Sequence, residues 1–115
     1  MAQPSIFTRI MNGELKSDIV YEDDLVVAIR DINPKAPIHI LIVPREPLVS
    51  VNEFNENNAA IAGQMLVAAA KVAKQFGLDE KGYRLVINNG HEGGQEIQHV
   101  HMHLLGGRRL GWPPG

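Results

Sequence analysis

The sequence predicts an α+β domain: a largely antiparallel five-stranded sheet with one long and one short helix. Five short apolar runs are bounded by Gly, Pro, Asn or Asp, as strands are. Two neighbouring pairs of runs lack a crossover helix, which a parallel pair needs. One long window shows a helical period instead.

Taken in order, Ser5 precedes Ile6-Phe7-Thr8-Arg9-Ile10-Met11, whose apolar residues fall three or four apart. A short helix therefore starts on Ser5 as N-cap, and Asn12-Gly13 closes it. Residues 18–22 and 25–30 read as two strands around the turn Asp23-Asp24. In 31–37 two prolines forbid regular structure. Residues 38–43 are apolar apart from His39, the mark of a strand buried on both faces, and Pro44 and Pro47 end it. From about Asn57 to Phe76 an Ala-rich helix aligns Ile61, Met65, Ala68, Val72 and Phe76 on one stripe, with Gly77 as its C-cap. Residues 83–88 form a fourth strand. The loop 89–96 leads to a fifth at 100–105, and the Pro/Gly-rich tail 106–115 is irregular.

The chain has 115 residues with no repeat, linker or charge block, the size of one domain spanning 1–115. A chain of this length buries roughly two-thirds of its unfolded surface. Eleven Lys+Arg against thirteen Asp+Glu leave a net charge of -2, so no basic field is present to hold a nucleic-acid backbone or an acidic membrane surface. The absence of cysteine excludes disulfides, thiolate chemistry and cysteine-ligated metals. Neither a leader-like apolar segment in residues 1–12 nor a run of ~20 apolar residues is seen, which points to a cytoplasmic protein.

The chemistry concentrates in His99, His101 and His103. Spacing of two is the strand period, so the three rings share one face about 6.6 Å apart, while Val100, Met102 and Leu104 face the core. Stability alone does not ask for such a ladder, because each neutral imidazole needs both a donor and an acceptor. A neutral ring can act as nucleophile or base near pH 6.5 while its neighbours hold an anion. The loop Gly93-Gly94-Gln95-Glu96 offers backbone N–H groups for a phosphate beside the middle ring. Together they favour phosphoryl or nucleotidyl transfer through a histidine-bound intermediate.

The segment His99-Val100-His101-Met102-His103-Leu104-Leu105 resembles the histidine-triad (HIT) motif. Further segments resemble the Hint branch of that family over nearly the whole chain. They are Ser5-Ile6-Phe7, residues 21–24, residues 31–39, Gly82-Tyr83-Arg84, Gly93-Gly94-Gln95, and a tail with Leu104-Leu105-Gly106-Gly107-Arg108 and Trp112-Pro113-Pro114-Gly115. The resemblance implies a homodimeric purine nucleoside phosphoramidase that needs no cofactor and no metal. His101 would attack the α-phosphorus and expel an amine, after which water would release the nucleoside monophosphate. The His99 carbonyl would fix the tautomer of His101, and His103 and His39 would hold phosphate and nucleophile in place.

By the same resemblance Asp31 would take the ribose hydroxyls, although an Asp before a proline turn is commonly a turn residue. Ile6, Phe7, Ile10, Ile29 and Ile32, which otherwise read as core, would line a purine slot. Asn88 and the backbone of Gly94 and Glu96 would meet the phosphate; Glu96 stands where some relatives have Ser, so its carboxylate should turn away. Arg30 lies beside the ribose position, and Arg108 and Arg109 read as a solvated pair. Trp112, in the tail 106–115, would reach the partner subunit's site. The family dimer would join two sheets through the long helix and the 83–88 strand. Two alternatives remain: a dinucleoside polyphosphate hydrolase using the same His101, and a non-catalytic nucleotide- or metal-binding module in which alternate histidines share an ion.

Overall fold

Alternation along the strands assigns every side chain to one of two faces, and each face has its own core. In the computed structural model, which describes residues 3–115, five strands form one antiparallel sheet. Met1 and Ala2, the start of the expected 1–115 domain, lie outside the described residues. The strands are β1 (Ile19–Glu22), β2 (Val26–Arg30), β3 (Ile38–Pro44), β4 (Tyr83–Val86) and β5 (Met102–Gly106), in the order β1-β2-β3-β5-β4. Val26 and Ala28 on β2, Ile40 and Ile42 on β3, and Met102 and Leu104 on β5 pack against helix α2 (Ala59–Gln75). Val27, Ile29, Leu41 and Val43 point the other way and enclose Phe7 of helix α1 (Ile6–Met11). β3 is buried on both faces, as its unbroken apolar run predicts.

The local signals act as expected. The Ser5 hydroxyl accepts the Thr8 N–H at 3.1 Å, satisfying a free donor of the first turn of α1. At the β1–β2 turn, Asp23 accepts the N–H groups of Leu25 and Val26 through one oxygen, and Tyr21 Oη–H and Gln64 Nε2–H through the other. Burial alone would raise its pKa. The hydrogen bonds from Tyr21 and the turn outweigh burial and hold the carboxyl at about 2. On α2 the buried stripe is Ile61, Met65, Ala68, Ala69, Val72 and Ala73, and the small residues let the helix sit close to the sheet. Among the described residues no helix is long and apolar enough to cross a membrane.

Three boundaries depart from the sequence reading. Gly77, in the left-handed conformation at φ 71°, closes α2 and at once begins a further helical turn, α3 (Leu78–Lys81). Leu78 there fills the space beside Gly106, where an added Cβ would lie 2.7 Å from its side chain. β4 stops at Val86 rather than at Asn88. β5 begins at Met102 rather than at Val100, because the backbone just before it bonds elsewhere. The Val100 N–H donates to the Leu48 carbonyl at 2.8 Å, and the His99 carbonyl accepts from a ring, not from a strand.

Ile42 is fully buried between Ala28 and Met102 beneath α2. Ile42→Ala is expected to cost about 2–5 kcal/mol of folding free energy, the range for opening a core cavity. A urea midpoint within a few tenths molar of the native protein's would contradict that packing.

Candidate active site

β3 and β5 are neighbours, and their register sets Leu41 opposite His103 and His39 opposite Leu105. That register places His39 and His103 diagonally on the face away from α2. The nearest approach is 2.9 Å, from His39 Nε2 to His103 Nδ1. His101, just ahead of β5, completes the row, with its ring centroid 5.1 Å from that of His103. These three rings form one wall of a cavity of about 580 Å³.

The remaining walls come from six parts of the chain, one of them the segment Leu15, Lys16 and Ser17 before β1. α1 supplies Ile6, Phe7 and Ile10; the end of β2 supplies Ile29 and Arg30; the following turn supplies Asp31, Ile32 and Lys35. Leu41 lies beneath, and Asn88, Gly94, Glu96 and Ile97 line the opposite rim. Of the fourteen residues singled out from sequence, the cavity gathers all but two: His99, whose side chain lies behind it, and Trp112. Trp112 is 83% exposed in the single chain. Ile32, at 87%, stands on the lip.

Fixed backbone partners determine which nitrogen of each ring holds its proton. A backbone carbonyl can only accept, so the 2.8 Å contact between His101 Nδ1 and the His99 carbonyl requires N–H at Nδ1. The neutral ring then presents a lone pair at Nε2. A backbone N–H can only donate, so the Lys35 N–H, 3.1 Å from His39 Nδ1, makes that nitrogen an acceptor. His39 therefore holds its proton at Nε2 and donates it to His103 Nδ1. His103 in turn keeps a proton at Nε2. One backbone N–H thus sets two tautomers in sequence.

The bond between His39 and His103 requires uncharged rings, and burial favours them. Desolvation holds His39 and His99 below the usual imidazole range. His103 is pushed down to about 4, by burial first and then by the neighbouring rings of His101 and His39. Asp31 Oδ2 lies 3.5 Å from His39 Nε2, a contact to a neutral ring. Its Oδ1 caps the Asn33 N–H at 2.7 Å, so the turn role expected of this residue is present too. Asp31, His39 and His103 offer three potential ligand atoms within 4.8 Å of one another. What brings Asp31 here is the backbone bond from its N–H to the His39 carbonyl, which closes the turn.

The glycine loop differs from the expected concavity of free N–H groups. The Gly94 N–H donates to the His91 carbonyl and the Gln95 N–H to the Gly90 carbonyl, both at 3.0 Å. Glu96, whose N–H takes no part in that turn, also lines the cavity. At Gly93 a side chain is impossible without movement: an added Cβ would collide with the Asn89 carbonyl oxygen and sit 2.8 Å from its nitrogen. Gln95 anchors the loop, donating to the Val49 and Ile97 carbonyls and accepting the Gly90 N–H. Asn88 donates to the Gly93 carbonyl at 2.7 Å. The cavity residues missed from sequence include Leu41, Ile97 and Lys35; the first two read as ordinary apolar core, and Lys35 acts through its main chain, which no side-chain pattern signals.

A profile of the HIT domain matches residues 12–110. The purine nucleoside phosphoramidase of Escherichia coli K12 is 52% identical over 111 residues, covering 96% of this chain and 93% of that one. A 14 kDa zinc-binding protein of Zea mays is 50% identical over 114 residues, covering 97% and 88%. In structure, a HIT family hydrolase from Legionella pneumophila superposes with a TM-score of 0.94 at 44% identity, covering 97% of this chain and all of that one. The chain belongs to the HIT family, and its fold is that of the family's hydrolases.

The depressed histidines tie stability to pH. Their folded-state pKa values lie below the unfolded value of about 6.5, so on acidification the unfolded chain takes up protons first. The stability they contribute is complete above that value and is lost as pH falls from about 6.5 toward 4. Urea midpoints should fall between pH 7 and pH 5, and His103→Gln should flatten the slope. A histidine NMR titration in which His103 protonates near 6.5 would contradict this.

Proposed function

We propose that this chain is a purine nucleoside phosphoramidase working through a nucleotidyl-histidine at His101. The observation that carries the reading is the His101 ring, held as the Nδ1–H tautomer by the His99 carbonyl with Nε2 on the cavity wall. In the reaction Nε2 attacks the α-phosphorus, the P–N bond breaks, and the amine leaves protonated. Water then attacks the same phosphorus, the histidine–phosphorus bond breaks, and the nucleoside monophosphate departs. The His103 Nε2–H faces the phosphate, and Asn88 and the Gly94–Glu96 segment flank it. Asp31 takes the ribose hydroxyls and Ile6, Phe7, Ile10, Ile29 and Ile32 hold the base, an apolar slot that reads shape more than base edges. The name of the Escherichia coli relative supports this choice of substrate. A cytoplasmic setting, without nucleic-acid or membrane partners, belongs to the same reading.

The test is AMP release from adenosine 5′-phosphoramidate with chelator present. His101→Ala should lower turnover by about 10³-fold or more, as loss of a nucleophile does, while AMP binding and folding persist. Turnover retained in that variant would overturn the mechanism. The grouping of Asp31, His39 and His103 favours a second reading, a metal-binding module. It predicts tight zinc uptake by the purified protein and no chelator-resistant turnover. Comparison with a diadenosine polyphosphate separates the phosphoramidase from a dinucleotide hydrolase.

The active unit in this proposal is a homodimer. β4 pairs with β5 on one side only, and the exposed side chains of Tyr83, Ile87, Leu66 and Val67 lie on that strand's segment and on α2. An open edge with apolar neighbours is covered by pairing with a second copy. The tail 106–115, with the exposed Trp112, then reaches the partner's cavity. Light scattering should give twice the 12.7 kDa chain mass. A monomer mass at micromolar concentration would refute the assembly.

A further inference from the structure

The Ser5 hydroxyl, besides capping α1, lies 2.6 Å from His99 Nδ1, a contact spanning 94 positions of sequence. The His99 ring is completely buried. Its Nε2 lies 2.8 Å from the Pro44 carbonyl, which can only accept, so the ring proton is on Nε2. Buried and held below the ordinary imidazole range, the ring is neutral, and its Nδ1 has a lone pair. The Ser5 O–H must therefore be the donor in the Ser5–His99 bond. On one oxygen atom Ser5 accepts the Thr8 N–H and gives its single proton to His99 at 2.6 Å rather than to Thr8 Oγ1 at 3.3 Å. The groups around the ring are Ser5, the Pro44 carbonyl, the edge-on Phe7 ring at 5.6 Å, and His101, so no carboxylate faces it.

We infer that Ser5 is a positioning residue for the nucleophile: its donation to His99 locks the residue whose carbonyl sets the tautomer of His101. The inference rests on the role proposed for His101 and adds a link that begins at the other end of the chain. With both ring nitrogens pinned, His99 cannot turn its main chain without breaking a buried hydrogen bond, and its carbonyl stays aimed at His101 Nδ1. The same Ser5 starts the helix that bears Ile6, Phe7 and Ile10. The apolar wall and the nucleophile are thus registered to each other through one hydroxyl.

A capping role and a donor role make different demands, and this allows them to be separated. A helix N-cap tolerates Gly at little cost, far less than Ala. His99 needs a donor, which Gly lacks. Ser5→Thr should keep both bonds and stay within about 2-fold of native kcat. Ser5→Gly should stay close to the native urea midpoint and AMP affinity but lose between about 10- and 100-fold in kcat with KM nearly unchanged, the range for outer partners that orient an imidazole.

The decisive readout is the imidazole ¹⁵N spectrum of the substrate-free protein. Native His99 should show an unprotonated Nδ1 and His101 a protonated one. In Ser5→Gly, Nδ1 of His99 should stay unprotonated but shift as its hydrogen bond is lost, and His101 should become a tautomer mixture. Native kcat in Ser5→Gly, or a His101 tautomer unchanged there, would overturn the inference. Should that variant fail to fold, Ser5→Ala lacks the donor equally and gives the same spectral comparison. If the native protein turned over no phosphoramidate, the functional reading would fall, while the spectra would still decide the link from Ser5 to His101.

Discussion

The hydrogen bond from Nδ1 of His101 to the carbonyl of His99 shapes both the backbone and the chemistry around it. By occupying that carbonyl it keeps residues 99–101 out of the sheet ladder, so β5 starts only at Met102. By taking the Nδ1 proton it leaves Nε2 as the one unprotonated nitrogen of the ring. An imidazole held in this way could act as a nucleophile without an activating base, because a neutral ring already presents a lone pair when its other nitrogen is the donor.

Neutrality of His39, His99 and His103 is the second constraint, and burial favours it. Three imidazoles packed within one small volume would repel one another if protonated, and desolvation adds to that penalty. The result is a site whose donors and acceptors are dictated by main-chain groups: the carbonyls of Pro44 and His99 and the N–H of Lys35. Main-chain groups cannot change protonation, so they hold a tautomer more firmly than another titratable side chain would. Preorganised donors of this sort lower the reorganisation required as charge develops.

Packing gives the arrangement its rigidity. The strand pair β3–β5, which holds His39 and His103, is clamped by α2 on one face and by the Phe7 cluster on the other. The loop beyond β4 is less deeply packed but is tied by Gln95 and Asn88, with Gly93 allowing a backbone approach that no side chain could tolerate. The site thus combines side chains on strands, which are fixed in register, with a loop rim held by its own hydrogen bonds.

By itself the sequence determined the α+β class, the two-sided burial of the third strand, the limits of α1 and the stripe of α2, because each is a matter of local periodicity or capping. Of the expected row of three histidines only His101 and His103 line the cavity, because residues 99–101 lie outside the strand and its alternation does not govern His99. Twelve of the residues assigned to the site from motif resemblance do line one cavity. Only the tertiary structure decided that His99 turns its ring inward; the bond from its carbonyl to His101 was already implied by the family resemblance. The register of β3 against β5 decided that His39 meets His103, and a backbone bond to His39 brought Asp31 beside them. Ser5 was readable as a cap, but its bond to His99 spans 94 positions, and no local pattern encodes a contact made when a helix start docks against a distant strand. Local rules act over a few residues; tautomers and donor directions depend on partners that only the folded chain brings together.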